Sequence, residues 1–204
     1  PLRQHIGQGG VEESLCDPVG RKYDAEKCSY HETLVNFLDT EDTIITFNYD
    51  CLIDQHLRDF GKGKWSAKYG YCLPIRAWRT TGFDAWETTP AHLNRRTIVL
   101  LKLHGSLNWQ ITERKTWRLI HLKHRPYTRQ KGEIKFSIIP PEFHKSLMPP
   151  YVKLWQKAAS ALRRTDELIF IGYSFVPTDM EAMSLFRMMT NPKLKRLVIV
   201  NPDQ

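Results

Sequence analysis

The sequence predicts an α/β fold, a mostly parallel sheet flanked by helices, from three observations. Four short runs are apolar and rich in β-branched residues, each ends in a polar or glycine-containing turn, and segments with apolar residues at helical spacing lie between them. The length agrees, since 204 residues suit one domain with at most a small appendage and suffice to bury a core. Hydrophobic residues at 41% and charged residues at 25% are ordinary for a globular chain. No segment approaches the roughly 20 apolar residues of a membrane span. A soluble, cytoplasmic protein without a membrane partner is expected.

Residues 1–30 hold Gly7, Gly9, Gly10, Pro18 and Gly20 among charged residues with no sustained apolar period, and read as loop or short helix. Leu34, Val35 and Leu38 then recur at helical spacing until Asp39-Thr40-Glu41-Asp42 breaks the pattern. Thr43-Ile44-Ile45-Thr46-Phe47 has the composition of a parallel strand covered on both faces. Leu52, Ile53, Leu57 and Phe60 resume the helical period over residues 51–60. Asn48-Tyr49-Asp50 therefore lies at a strand's C-terminal end, where open α/β sheets bind ligands.

The same design recurs downstream. Residues 97–101 lead into Lys102-Leu103-His104-Gly105-Ser106, residues 167–171 into Gly172-Tyr173-Ser174, and residues 197–200 into Asn201-Pro202. Helices fit over residues 151–164, with Val152, Leu154, Trp155, Ala158, Ala159 and Leu162, and over residues 179–189, with Met180, Met183, Leu185, Phe186 and Met189. Two regions interrupt the alternation. Residues 61–96 are rich in Gly, Trp, Tyr and Thr, and residues 107–136 read as short antiparallel strands, so together they are expected to form a small inserted lobe or lid.

Cys16, Cys28, Cys51 and Cys72 lie far apart, with no CxxC pair and no histidine at zinc-knuckle spacing. No metal site is expected, and the thiols read as reduced. The net charge of +8 suits nucleic acid or an anionic dinucleotide, because basic surfaces gain affinity by releasing phosphate counterions. Much of the excess lies in residues 114–135, where basic residues alternate with aromatic ones such as Trp117 and Tyr127, as on a solvated strand-and-loop surface.

Taken together and in this order, Thr46-Phe47-Asn48-Tyr49-Asp50, Lys102-Leu103-His104-Gly105-Ser106, Gly172-Tyr173-Ser174 and Asn201-Pro202 resemble the sirtuin-like superfamily, especially its bacterial branch of NAD-hydrolysing antiphage defence proteins. The resemblance spans residues 43–202. It implies a Rossmann-like sheet with NAD+ as substrate. It makes His104 the catalytic histidine, whose imidazole takes a proton from a ribose hydroxyl or water near neutral pH. Thr46, Asn48 and Asp50 would line the nicotinamide side, Asn48 positioning the ribose or an attacking water and Asp50 holding the carboxamide. Gly105 would allow close approach of substrate. Gly172 and Ser174 would receive the adenosine half, Asp179 would cap the next helix or reach the adenosine ribose, and Asn201 would contact adenosine. Ile138-Ile139-Pro140-Pro141 with Lys145 resembles a pocket wall. Plainer readings stand beside these: Asn48 as a helix cap, His104 as a structural histidine, and Gly172-Tyr173-Ser174 as a tight strand-to-helix turn.

Two departures from the family pattern shape the expectation further. The family's Gly-Ala-Gly-x-Ser loop, which cradles pyrophosphate at a helix N-terminus, has only Gly7-Gln8-Gly9-Gly10 as a counterpart. Residues 1–204 are therefore expected to be one sirtuin-like domain, a fragment whose glycine-rich strand and loop lie upstream; a degenerate homologue that no longer binds NAD is the alternative. The paired CxxC motifs of zinc-dependent deacetylases are also missing, so no zinc module is expected, and hydrolysis to nicotinamide and ADP-ribose is preferred to deacylation. A catalytically silent NAD- or ADP-ribose-binding or assembly module is the second reading; a protein deacylase or nucleic-acid-binding domain is the third. The partners implied are NAD+ and, at family level, a second copy of the chain or other domains and subunits of a defence system.

Overall fold

In chain order the secondary structure runs α1 (Ser29–Phe37), β1 (Thr43–Thr46), α2 (Leu52–Phe60), α3 (Ala67–Gly70), β2 (Ile75–Ala77), β3 (Val99–Lys102), β4 (Gly105–Ile111), β5 (Trp117–Leu119), β6 (Phe136–Ile138), α4 (Pro149–Leu162), β7 (Glu167–Ile171), α5 (Met180–Arg187) and β8 (Arg196–Val200). These come from a computed structural model that describes residues 28–73, 75–77, 96–111, 117–119, 136–139, 149–175, 177, 179–187 and 191–201. The opening glycines, most of the basic stretch 114–135, the Pro140-Pro141 wall with Lys145, and Pro202 lie outside the described residues.

The apolar runs become strands within two residues of the expected bounds. Helix α4 begins two residues before the expected start, at Pro149, because proline in a first helical turn forfeits no intrahelical hydrogen bond. Helix α1 starts at Ser29, inside the segment expected to be loop or short helix.

Strands β1 and β3 pair in parallel, Thr43 opposite Val99 through Thr46 opposite Lys102. Strands β7 and β8 do the same, Glu167 opposite Arg196 through Ile171 opposite Val200. The expected α/β fold with parallel strands flanked by helices is present, and among the described residues the parallel strands form two pairs. A third sheet has the order β2-β5-β4-β6 and draws strands from both regions expected to form an inserted lobe. It is mixed, since β4 is antiparallel to β5 and β6 while β2 runs parallel to β5.

The core gathers on β3. Leu100, Leu101 and the following Leu103 are completely buried, as are Tyr151, Leu154 and Ala158 of α4, which lies against that strand. Each such leucine contributes about 1.5–3 kcal/mol by leaving water. Trp65, Tyr71 and Trp109 stack edge to face in a buried row, with 5.2 Å between successive ring centroids. The β7–β8 pair departs from the expectation that parallel strands are covered on both faces. Leu168 joins the core, but Ile169 and Ile171 on one face and Leu197 and Ile199 on the other are 50–61% exposed. Among the described residues no helix is long and apolar enough to cross a membrane.

Candidate functional site

Parallel pairing in register places the C-terminal ends of β1 and β3 side by side. The turns that follow are strapped together: Leu103 N–H donates to Thr46 O (3.0 Å) and Leu107 N–H donates to Tyr49 O (2.9 Å). His104 stands between those two straps. Gly105, at φ +87°, turns the chain directly after it, a backbone angle that glycine adopts without penalty. The His104 carbonyl accepts from Ile139 N–H (2.8 Å), which fixes the turn to the end of β6.

The His104 side chain is nearly buried, at 5% exposure, and its Nε2 lies 2.7 Å from Asp179 Oδ2, whose side chain is 4% exposed. Asp179 immediately precedes α5, and its other oxygen accepts from Ala182 N–H (3.2 Å), so one carboxylate caps a helix and holds the imidazole. Phe47, Tyr49 and Trp155 surround the His104 ring at centroid distances of 5.2, 6.2 and 6.3 Å. Phe47 also meets Tyr173 at 4.8 Å and Phe186 at 6.1 Å, so aromatic side chains join the β1–β3 end to the β7–β8 end. Burial, and then the nearby Asp179 carboxylate, pushes the Tyr49 phenol above its usual range and the Tyr173 phenol up to about 12. Both stay protonated at neutral pH. Tyr49 donates its proton to Ile139 O (3.3 Å).

An imidazole bonded through Nε2–H to a carboxylate is held in one tautomer, with Nδ1 as its basic nitrogen. The carboxylate also stabilises the imidazolium formed when that nitrogen takes a proton. An imidazole–carboxylate pair of this kind has the chemistry that proton transfer requires.

The remaining candidates divide between two strand ends. Asn48 is exposed after β1, its backbone N–H donating to Thr46 Oγ1 (3.1 Å). Asp50 Oδ1 accepts from Leu52 N–H (3.0 Å), so Asp50, not Asn48, supports the start of α2. Gly172 and Ser174 are exposed after β7, and Asn201 after β8. Gly172 N–H donates to Val200 O (2.9 Å). A Cβ on Gly172 would meet nothing within 4 Å, so its φ of +60° is the reason for glycine there. The His104–Asp179 bond links the two ends.

Sequence reasoning placed Asp179 as a cap or ribose contact and missed its bond to His104. It also missed a buried polar network behind the Asn48-Tyr49-Asp50 turn. Lys102 Nζ donates to Asp54 Oδ2 (3.0 Å) and to the Asp50 carbonyl, and Tyr71 OH donates to Asp54 Oδ1. Asn108 Nδ2 donates to Tyr71 OH (3.0 Å), and Ser106 Oγ donates to Asn108 Oδ1 (2.6 Å). Burial pulls the Lys102 ammonium down, but nearby anions, Asp54 foremost, outweigh it and hold the group above its usual range. Burial pushes the adjacent Cys51 thiol up to about 12. The signal available in sequence was a lysine inside the apolar run Val99-Leu100-Leu101-Lys102-Leu103. Among the described residues no group of three or more His, Cys, Asp or Glu is placed to hold a metal ion.

The model of the SIR2-like domain family matches residues 42–200, a span that holds every candidate site residue except Asn201. SIR2-like domains are generally NAD-dependent enzymes that use NAD+ as substrate. No curated protein matches the chain.

Proposed function

This chain belongs to the SIR2-like domain family, and on that premise we propose that it cleaves NAD+ to nicotinamide and ADP-ribose in bacterial defence against phage. The observation that carries the hydrolytic reading is the His104–Asp179 bond within an aromatic enclosure at the strand ends. In the proposed reaction the bond between the nicotinamide nitrogen and ribose C1′ breaks through an oxocarbenium-like transition state, and nicotinamide leaves with the electron pair. A water oxygen bonds to C1′, and its proton passes to the basic nitrogen of His104. Asp179 stabilises the resulting imidazolium, and the exposed Asn48 amide at the end of β1 orients the water or the ribose. Thr46 and Asp50 complete the nicotinamide side. Gly105 keeps the backbone close beside it, while Gly172, Ser174 and Asn201 serve the adenosine half.

The residues present fit such a substrate. A carboxylate-paired imidazole and an exposed amide stand at one strand end, and a glycine, a hydroxyl and a second amide stand at the other. Incubation of the complete parent protein with NAD+ is expected to release nicotinamide, and His104→Ala is expected to abolish release. No release under any activating condition, or full activity in the His104→Ala protein, sinks the reading. Protection in a plaque assay that survives His104→Ala would separate any defence role from this chemistry.

The near-complete burial of His104 favours a second reading, a silent module that binds NAD or ADP-ribose or supports assembly of a larger complex. Calorimetric binding of NAD+ that leaves it intact for hours would select it over turnover.

A further inference from the structure

The buried network behind the turn has no role in the reaction as written, yet it brackets His104: Lys102 stands two residues before it and Ser106 two after. We infer that the Lys102–Asp54 pair is a positioning device that fixes the Asn48-Tyr49-Asp50 turn against the His104 site. As a statement about the reaction, this rests on the NAD-cleaving reading; as a statement about the turn, it does not.

Both side chains of the pair are fully buried. Stripping water from two charges costs about as much as their attraction returns, so two apolar side chains of similar size would serve stability equally well among Leu100, Leu101 and Leu103. The pair does what apolar residues cannot. Lys102 reaches from the end of β3 to the Asp50 carbonyl, which precedes the helical ladder, since α2 opens with Gln55 N–H donating to Cys51 O (3.0 Å). Asp54, in the first turn of α2, holds the ammonium in place with one oxygen and takes the Tyr71 hydroxyl on the other. Asn108 and Ser106 then extend the chain of bonds into β4. Strand, helix and turn are thereby locked in one relative position, with the exposed Asn48 at the free edge of the turn.

The variant to test is the double replacement K102M/D54N in the complete parent protein. It removes both buried charges and keeps an oxygen for Tyr71, so no lone ion is stranded. Its unfolding midpoint is expected within about 4 °C of wild type. The backbone amides of Tyr49 to Leu52 are expected to exchange with deuterium about tenfold faster or more, with the amides of β7 and β8 unchanged. Nicotinamide release from NAD+ is expected to fall about tenfold or more, in parallel with exchange. A folded double variant whose turn exchanges at the wild-type rate overturns the inference, and so does one that fails to fold, because the pair would then be holding up the core. A wild-type protein that releases no nicotinamide defeats the NAD-cleaving reading alone, and the exchange rates still decide the tether.

Discussion

Replacing Asp179 by asparagine separates its two duties. The asparagine oxygen can still accept from Ala182 N–H, and asparagine caps helices as well as aspartate does, so the start of α5 should survive. What disappears is the charge 2.7 Å from His104 Nε2 together with the acceptor there, since the amide nitrogen now donates and turns the imidazole to its other tautomer. A hydrogen bond to a charged partner contributes about 1.5–3 kcal/mol, and a tenfold change in rate corresponds to about 1.4 kcal/mol. If that stabilisation is felt when His104 carries a proton, Asp179→Asn should lower the rate of nicotinamide release roughly 10- to 100-fold while the unfolding midpoint stays within a few degrees. Asp179→Ala loses the cap as well, worth about 1 kcal/mol, for a combined cost near 3 kcal/mol. At about 2–4 °C per kcal/mol for a chain of this size, its midpoint should drop by about 6–12 °C. The assay is single-turnover nicotinamide release followed by chromatography, with thermal unfolding in parallel. An Asp179→Asn protein with wild-type turnover refutes the claim that this carboxylate assists proton transfer. Equal unfolding midpoints for the two variants refute the capping half.

Two further predictions concern stability. Burial, and then the neighbouring His56, lowers the His31 pKa below its ordinary value of 6.5, against a smaller opposing pull from Asp50. The folded state therefore binds this proton less readily than the unfolded chain does, so its contribution is complete above about pH 6.5 and is lost as pH falls through the folded value. Melting points recorded from about pH 7.5 down to about pH 5.5 should fall more steeply for wild type than for His31→Asn; identical slopes would remove His31 as the cause. At Gly70, a Cβ would run into the Trp65 indole and press on the Ile98 carbonyl, and Trp65 is buried. Gly70→Ala should cost about 1–3 kcal/mol, read as a lowered unfolding midpoint, and an unchanged midpoint would mean that Trp65 has room to move.

The strands were legible because the runs around Ile44, Leu100, Ile169 and Val198 are apolar and β-branched, and each stops at a polar turn. His104 stood out because it follows such a strand and precedes a glycine. Its partner did not, since Asp179 lies 75 positions later and shows the signature of any helix-opening aspartate; only the fold brings it to the imidazole. Lys102 was a visible anomaly in an apolar run, but naming Asp54 as its counter-charge required knowing which face of α2 turns toward β3. The exposure of Ile169, Ile171, Leu197 and Ile199 on β7–β8 was hidden for the opposite reason: isoleucine and leucine in a strand read the same whether or not an element lies over them.

The link between the two strand pairs also has a mechanical meaning. His104 follows β3 and Asp179 follows β7, so their bond spans the two halves like an electrical contact. At 2.7 Å it conducts; separated by about a further 1 Å it no longer counts as a hydrogen bond. Anything that pries the β7–β8 half away by that small distance would separate the imidazole from its carboxylate without unfolding a single helix.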